Sequence, residues 1–184
     1  FDDVLISKGS GHNYGIDFTL EKYLSDGYYY MLSGSVFNSK YTANDKIERN
    51  TKFNKNYVLN IMAGKEWRIG KNNIFSANVR INYLGGNRKE PIDHNASKQE
   101  LDVIYNETEK LTAFKNKFDD LPIISLTLSY RINGKNSSSV WSLQLLNATG
   151  TKEYSHDYFN LKTNNINSKY DGIMIPSLSY RIEF

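Results

Sequence analysis

Residues 75–83 read Phe-Ser-Ala-Asn-Val-Arg-Ile-Asn-Tyr, so apolar and polar side chains alternate along the whole stretch. Successive side chains of a β-strand point to opposite faces, whereas a helix would mix the two sets on one surface. The stretch therefore predicts a strand whose apolar face consists of Phe75, Ala77, Val79, Ile81 and Tyr83 and whose other face is polar.

Six further segments repeat this alternation, which is typical of strands with one wet and one apolar side. They are residues 13–24, 28–37, 57–67, 124–132, 141–145 and 176–184. Their lengths approach the about 9 to 11 residues with which a tilted strand crosses a bilayer. We predict an all-β, antiparallel protein of about seven strands, in one domain that covers residues 1–184.

The composition excludes several classes of function. The chain has 184 residues, three histidines, no cysteine and a formal net charge of +3. Without cysteine there are no disulfide scaffolds and no thiol catalysis. The histidines lie far apart and Asp93-His94 has no third ligand nearby, so neither a metal nor a cofactor is expected. Charges are too evenly mixed for a nucleic-acid partner, and no carboxylate pair accompanies a nucleophile, so no enzyme is predicted.

The lengths of the connections favour a membrane barrel over a soluble β-protein. No apolar run approaches the roughly 18 residues of a membrane helix, but a transmembrane barrel places its apolar residues at alternate positions and lacks such runs. Short connections at 25–27, 70–73 and 133–138 alternate with long ones at 40–55, 85–121 and 148–171. Short periplasmic turns and long extracellular loops are typical of outer-membrane barrels. We therefore expect a protein of a Gram-negative outer membrane, with lipid as its partner.

Aromatic residues cluster near the ends of the apolar faces, where a girdle at the headgroup level would lie. We assign to this girdle Tyr28, Tyr30, Tyr57, Trp67, Tyr83, Tyr130 and Trp141, together with Tyr14 and Phe184. Lys22 and Lys65 fall on the apolar phase just before short connections, where long side chains reach the headgroups.

The opposite phase carries charged residues that would face the lumen of a barrel. They are Asp17, Glu21, Glu66, Arg68, Arg80, Arg131, Arg181 and Glu183. Contact with a plug inside the barrel is one interpretation. The alternative is that these charges are solvated or paired with one another on a polar inner wall.

Seven strands do not close a bacterial single-chain barrel, because these barrels have even strand counts. An open edge in lipid leaves backbone groups unsatisfied, at a cost of several kcal/mol each. We therefore expect residues 1–184 to be the C-terminal part of a larger barrel.

Runs along nearly the whole chain resemble the C-terminal barrel of Bacteroidota-type TonB-dependent receptors. Among them are Gly-His-Asn-Tyr-Gly-Ile-Asp-Phe-Thr-Leu-Glu-Lys-Tyr-Leu at 11–24 and the closing Pro-Ser-Leu-Ser-Tyr-Arg-Ile-Glu-Phe at 176–184. The others lie, in the family's order, at 27–30, 39–41, 49–54, 56–58, 63–66, 69–71, 83–86, 91–93 and 129–133. The resemblance is weakest in 100–120 and 150–172.

The resemblance implies a 22-strand barrel filled by an N-terminal plug, which a periplasmic TonB-type coupling protein pulls to admit a nutrient. The partners would be the plug, the remaining strands, that coupling protein and, at the surface, a lipoprotein. It also implies a signal in the last strand for the barrel assembly machinery, carried by Leu178, Tyr180, Ile182 and Phe184. The alternative for these four residues is that they simply face lipid.

A connection as long as 85–121 is uncommon in a compact domain unless it contains secondary structure or has a function. Ser97 and Glu100 form a capping-box pattern. Apolar residues then recur at helical spacing, namely Leu101, Ile104, Leu111, Phe114 and Phe118. We predict an extracellular helix from about Ser97 onward, packed over the barrel mouth.

Two other functions fit the same pattern. The chain would be a client or partner barrel held in an assembly or surface complex through its last strand. Alternatively, it would be a small self-contained barrel used for adhesion.

Overall fold

The computed structural model describes residues 8–106 and 113–184, and strands make up most of them. In this part of the chain there are ten strands and one short helix. The strands are β1 (Ser10–Ser25), β2 (Tyr28–Thr42), β3 (Glu48–Asn50), β4 (Tyr57–Ile69), β5 (Asn73–Leu84), β6 (Leu121–Asn133), β7 (Ser138–Leu146), β8 (Glu153–Asn160), β9 (Asn165–Asp171) and β10 (Ile175–Glu183). The helix is α1 (His94–Glu100). The predicted all-β, antiparallel class is confirmed.

Seven strands form one antiparallel sheet in the order β1-β2-β4-β5-β6-β7-β10. Each of the seven segments predicted from the sequence overlaps one of these strands. The long connections at 40–55 and 148–171 contain strands that the sequence did not predict: β3 extends the sheet beside β2, and β8 and β9 form a separate hairpin. These three strands are short and mostly polar, so no apolar alternation marks them in the sequence.

Alternate connections lie at the same edge of the sheet, since the strands follow one another as an up-and-down meander. We call the edge with the connections 26–27, 70–72 and 134–137 the turn end. The opposite edge, with the described parts of 43–56, 85–120 and 147–174, is the loop end. At the turn end Asp26 and Gly27 both have positive φ, 55° and 78°, as a two-residue hairpin turn of type I′ requires.

Residue pairing keeps one phase of every strand on one face. Tyr30 pairs with Ala63, Ala63 with Val79, Val79 with Leu126 and Leu126 with Leu145. Because side chains alternate along a strand, this register gathers all seven apolar phases on one side. We call that side the apolar face and the opposite side the polar face.

The apolar face is uncovered in the described structure. Ile16 is 76% exposed, Val36 61% and Leu178 70%. The only buried hydrophobic residues in the described ranges are Leu121 and Val140. A soluble sheet hides its apolar face in a core, and the described residues provide no second layer over this one.

The sheet is open between its first and last strands. β1 and β10 each pair with one neighbour, β2 and β7 respectively, and not with each other in the described residues. The larger barrel, of which the sequence predicts this chain to be a part, remains a prediction.

The helix in the connection 85–121 begins earlier than predicted. α1 starts at His94, and its N-cap is Asp93, whose carboxylate accepts from the backbone N–H groups of Asn95 and Ala96. The helix ends at Leu101, where the backbone is left-handed, so a helix from Ser97 onward is wrong. Ser97 lies inside α1 and is fully buried. Of the predicted apolar positions, Phe114 has φ +58° and is not helical, and Leu111 lies outside the described residues.

Among the described residues, no helix has the length and apolarity to cross a membrane.

Candidate functional surfaces

An aromatic row crosses the apolar face near the turn end. Five strands contribute one ring each, paired in the order Trp67, Phe75, Tyr130, Trp141 and Tyr180. Ring centroids are 5.6 Å apart for Trp67 and Phe75 and 4.5 Å apart for Trp141 and Tyr180. Tyr28 and Tyr30, also assigned to the girdle, lie on β2 at the same end of the sheet.

Two other girdle residues lie at the loop end. Tyr57 and Tyr83 stack with ring centroids 6.1 Å apart. Both hydroxyls donate to Oδ2 of Asp120, at 2.5 Å from Tyr57 and 3.1 Å from Tyr83. The Gly86 N–H donates to Oδ1 of the same carboxylate at 3.1 Å. The bond from Tyr57 above all, against the opposing effect of burial, lowers the pKa of Asp120.

The two lysines predicted on the apolar phase do lie on the apolar face. The Lys22 ammonium is 3.3 Å from the ring centroid of Tyr28, and the Lys65 ammonium is 5.5 Å from that of Trp67. Lys22 pairs with Tyr30, and Tyr28 lies nearer the turn end than Tyr30 on β2. Trp67 likewise lies nearer the turn end than Lys65 on β4. Both side chains therefore extend toward the turn end.

All eight charged residues predicted to face a lumen share the polar face, since each pairs within the polar phase of its neighbours. Arg131 and Arg181 both pair with Glu183, at 2.8 Å and 2.7 Å. Asp17 accepts a hydrogen bond from Ser35. In the described structure the other four, Glu21, Glu66, Arg68 and Arg80, are in no ion pair.

The polar face also has a site that the sequence did not reveal. Tyr29 reaches across Gly64 and donates a hydrogen bond to the side-chain oxygen of Asn78. A Cβ at Gly64 would lie 2.1 Å from that oxygen and 2.5 Å from the Tyr29 ring. Glycine is therefore needed for a tyrosine on β2 to contact β5 across β4.

A polar cluster joins the loops at the loop end. Asn54 is fully buried and its amide donates to the side-chain oxygens of Asn38 and Asn50, at 2.8 Å and 2.9 Å. The Arg88 guanidinium donates to the Asn54 carbonyl at 2.9 Å and the Asn56 side-chain oxygen at 2.6 Å. It also donates to the Lys115 carbonyl at 3.0 Å. Burial lowers the pKa of Arg88.

The connection after β5 begins tightly packed between the loop that contains Lys55 and its own later part, which contains Phe118. A Cβ at Gly85 would lie 2.1 Å from the Lys55 carbonyl oxygen, and one at Gly86 would lie 2.0 Å from that of Phe118. The Gly85-Gly86 pair was visible in the sequence, but only the structure shows that close backbone approach requires it.

The β8–β9 hairpin is attached to the loop end by aromatic stacking. The rings of Phe118 and Tyr154 have centroids 3.8 Å apart. The Tyr154 hydroxyl donates to Asp157 at 2.9 Å, and burial first, then that carboxylate, raises the pKa of Tyr154. The loop end also contains a cavity of about 530 Å³ lined by Tyr41, Tyr105, Phe114 and other residues.

Three of the predicted assembly-signal residues lie on β10, and the fourth, Phe184, follows it. Leu178 is 70% exposed, Tyr180 51%, Ile182 47% and Phe184 101%. The first three share the apolar face, because they pair with Leu143, Trp141 and Ser139 of β7.

In the described ranges, no group of three or more His, Asp or Glu side chains is placed to hold a metal ion. Asp93, half of the Asp93-His94 pair, caps α1. In comparisons with known proteins, the chain matches no protein-family profile, no curated protein and no solved structure.

Proposed function

We propose that this chain is a membrane-spanning, C-terminal portion of a TonB-dependent receptor that takes up a nutrient across the outer membrane. The proposal combines the sequence resemblance with the two-faced, single-layer sheet. Lipid would cover the apolar face, and the plug of the same protein would lie against the polar face.

The single observation that carries the proposal is the spacing of the two aromatic levels on the uncovered apolar face. Tyr57, at the loop end of β4, and Trp67, near its turn end, are ten residues apart. At about 3.4 Å per residue and a tilt of about 35–45°, ten residues rise about 24–28 Å, close to the apolar band of about 25 Å in outer-membrane barrels. An aromatic girdle at each side of that band is the arrangement that lipid favours.

The polar surfaces support the transport part of the proposal. Glu21, Glu66, Arg68 and Arg80 offer charge to a plug domain that a periplasmic coupling protein would move. The cavity of about 530 Å³ at the loop end has the size of a small-molecule site. The loop end would contact the nutrient or a surface lipoprotein.

The exposed edge of β10 supports the assembly signal, and with it the second candidate function, that of a barrel client held by an assembly complex. A free strand edge binds another strand through its backbone, while alternate side chains give specificity. Leu178, Tyr180, Ile182 and Phe184 would supply that specificity.

Single cysteines test which solvent covers each face, since this chain contains none. We expect Leu128→Cys in the full-length protein to react with a membrane-soluble maleimide but not with a charged one. The neighbouring Thr127→Cys, on the polar face, is the matched control and should lack that preference for the membrane-soluble reagent. Reaction of Leu128→Cys with the charged reagent in intact membranes would contradict the proposal.

Growth on a panel of nutrient sources tests the transport role. Loss of this protein should reproduce part of the growth defect that follows loss of the energy-coupling protein. A strain lacking both should grow no worse on those nutrients than the strain lacking the coupling protein. An additive defect would show that this protein acts independently of that energy source.

A further inference from the structure

We infer that the apolar face carries a binding site for one anionic phospholipid, with its phosphate held by Lys22 and Lys65 and an acyl chain in an adjacent hollow. The inference rests on the proposed function, because it requires lipid to cover this face. It goes further by assigning a lipid class and the residues that select it.

The two lysines are unusual on this face. In the seven strands of the main sheet, the other basic side chains on the apolar phase are His12 and Lys40, both at the loop end. In the described structure neither Lys22 nor Lys65 forms an ion pair. Two ammonium groups with no protein carboxylate thus project from an otherwise apolar surface.

The two lysines lie on the strands that flank β2. Lys22 pairs with Tyr30, and Lys65 pairs with Tyr28, so β2 alone separates them. The Lys22 ammonium lies over Tyr28 itself, the direct partner of Lys65. Both side chains extend toward the turn end, where headgroup phosphates would lie.

A hollow of about 520 Å³ opens beside them, toward the middle of the sheet. Ala63 and Ala77 form its floor, because each small side chain lies between larger side chains on the neighbouring strands. Tyr28, Tyr30 and Lys65 line one side, and the leucines Leu126, Leu128, Leu143 and Leu145 line the other. The lining of the hollow is mostly apolar, although Lys65 and Asn78 also border it. Its volume lies within the range of about 300–1,000 Å³ of ligand sites.

This combination selects an anionic lipid. An acyl chain fits an apolar hollow, and the two adjacent cations complement a headgroup that carries net negative charge. A zwitterionic headgroup would bring its own cation toward Lys22 and Lys65, and the repulsion would offset the attraction of the phosphate.

The test uses the full-length protein in nanodiscs that contain equal amounts of phosphatidylglycerol and phosphatidylcholine. Native mass spectrometry then identifies the lipid retained after release. We expect one phosphatidylglycerol to be retained preferentially. K22Q/K65Q should reduce that preference about ten-fold, because each ammonium near an anionic group contributes a few-fold.

Two variants separate the site from general electrostatics. K71Q/K135Q removes two exposed charges from the turns at the same end and should leave the preference unchanged. Ala77→Phe fills the hollow and should reduce retention although both lysines remain. Equal loss in K71Q/K135Q, or no preference in the wild-type protein, would overturn the inference. Failure of the wild-type protein to enter nanodiscs would instead overturn the proposed function.

Discussion

The main sheet exposes apolar residues, whereas the loop end buries polar ones. On the sheet, Ile16 is 76% exposed and Leu143 50%. At the loop end Asn54 and Ser97 are fully buried, and Arg49 is 6% exposed beside Asp45. The difference fits the proposed function, in which lipid would cover the apolar face of the sheet and water would surround the loop end.

The two regions are also held together differently. The sheet relies on regular ladders between neighbouring strands, which form whatever the side chains are. The loop end relies on individual bonds between distant loops, such as Arg88 to Asn54 and Tyr57 to Asp120. Substitutions should therefore affect membrane insertion in one region and local order in the other.

The largest effect is expected from a charge on the apolar face. Leu126→Arg in the full-length protein should abolish stable insertion, because arginine near the bilayer midplane costs about 2–4 kcal/mol in a barrel. Thr127→Arg, one residue along β6 on the polar face, should insert normally. Both are measured by heat-modifiable mobility of outer-membrane fractions. Equal defects in the two variants would contradict the proposal that only the apolar face meets lipid.

A smaller loss is expected from the last strand. Phe184→Ala should lower surface abundance several-fold while nutrient uptake per molecule stays normal, since an assembly signal acts before transport. Ser179→Ala, on the polar face of β10, is the control. Normal abundance with lost uptake would assign Phe184 to the transport path instead.

Within the loop end, Arg88→Met should be the most disruptive exchange. It removes the donor of three hydrogen bonds while keeping most of the side-chain volume. The local stability should fall by about 2–3 kcal/mol, as expected when bonds to a charged group are lost. Hydrogen exchange of residues 50–56 and 85–90 should accelerate, whereas insertion remains unchanged. Lys115→Met, an exposed position, should change neither.

The smallest effect concerns the pH dependence of the loop end. Since the pKa of Asp120 is lowered in the folded protein, its bonds stabilise the loop fully above the unfolded pKa of about 3.9. The contribution is lost as the pH falls through the lowered folded value. Hydrogen exchange of residues 84–90, corrected for intrinsic rates, should show about 1 kcal/mol of protection disappearing on acidification. Asp120→Asn should flatten this dependence, and an unchanged profile would contradict it.

The helix illustrates why the loop end was harder to predict than the sheet. Ser97 and Asp93 are both ordinary N-cap residues, and the sequence favoured Ser97 because Glu100 follows it. In the structure Ser97 donates to the Asp93 carbonyl and accepts from the Ile104 N–H, at 2.6 Å and 2.9 Å. Its hydroxyl therefore accepts a hydrogen bond from the segment that follows α1, and Asp93 caps the helix instead.

The sequence by itself determined which residues share a face of the sheet. A strand's side chains alternate by geometry, so the phase of Leu178 or Arg80 follows from its neighbours in the chain. The same alternation predicted which face of the sheet the charged residues share and which face the girdle residues share.

Only the tertiary structure decided which of these residues meet. Strand register decides that Lys22 and Lys65 flank one strand beside the hollow and that Tyr29 bonds Asn78 across Gly64. The Arg88 cluster depends on loops that are far apart in sequence. Arg88 bonds the Asn54 carbonyl across 34 positions of the chain. No local pattern encodes such a contact, because it exists only once the strands have fixed where each loop begins and ends.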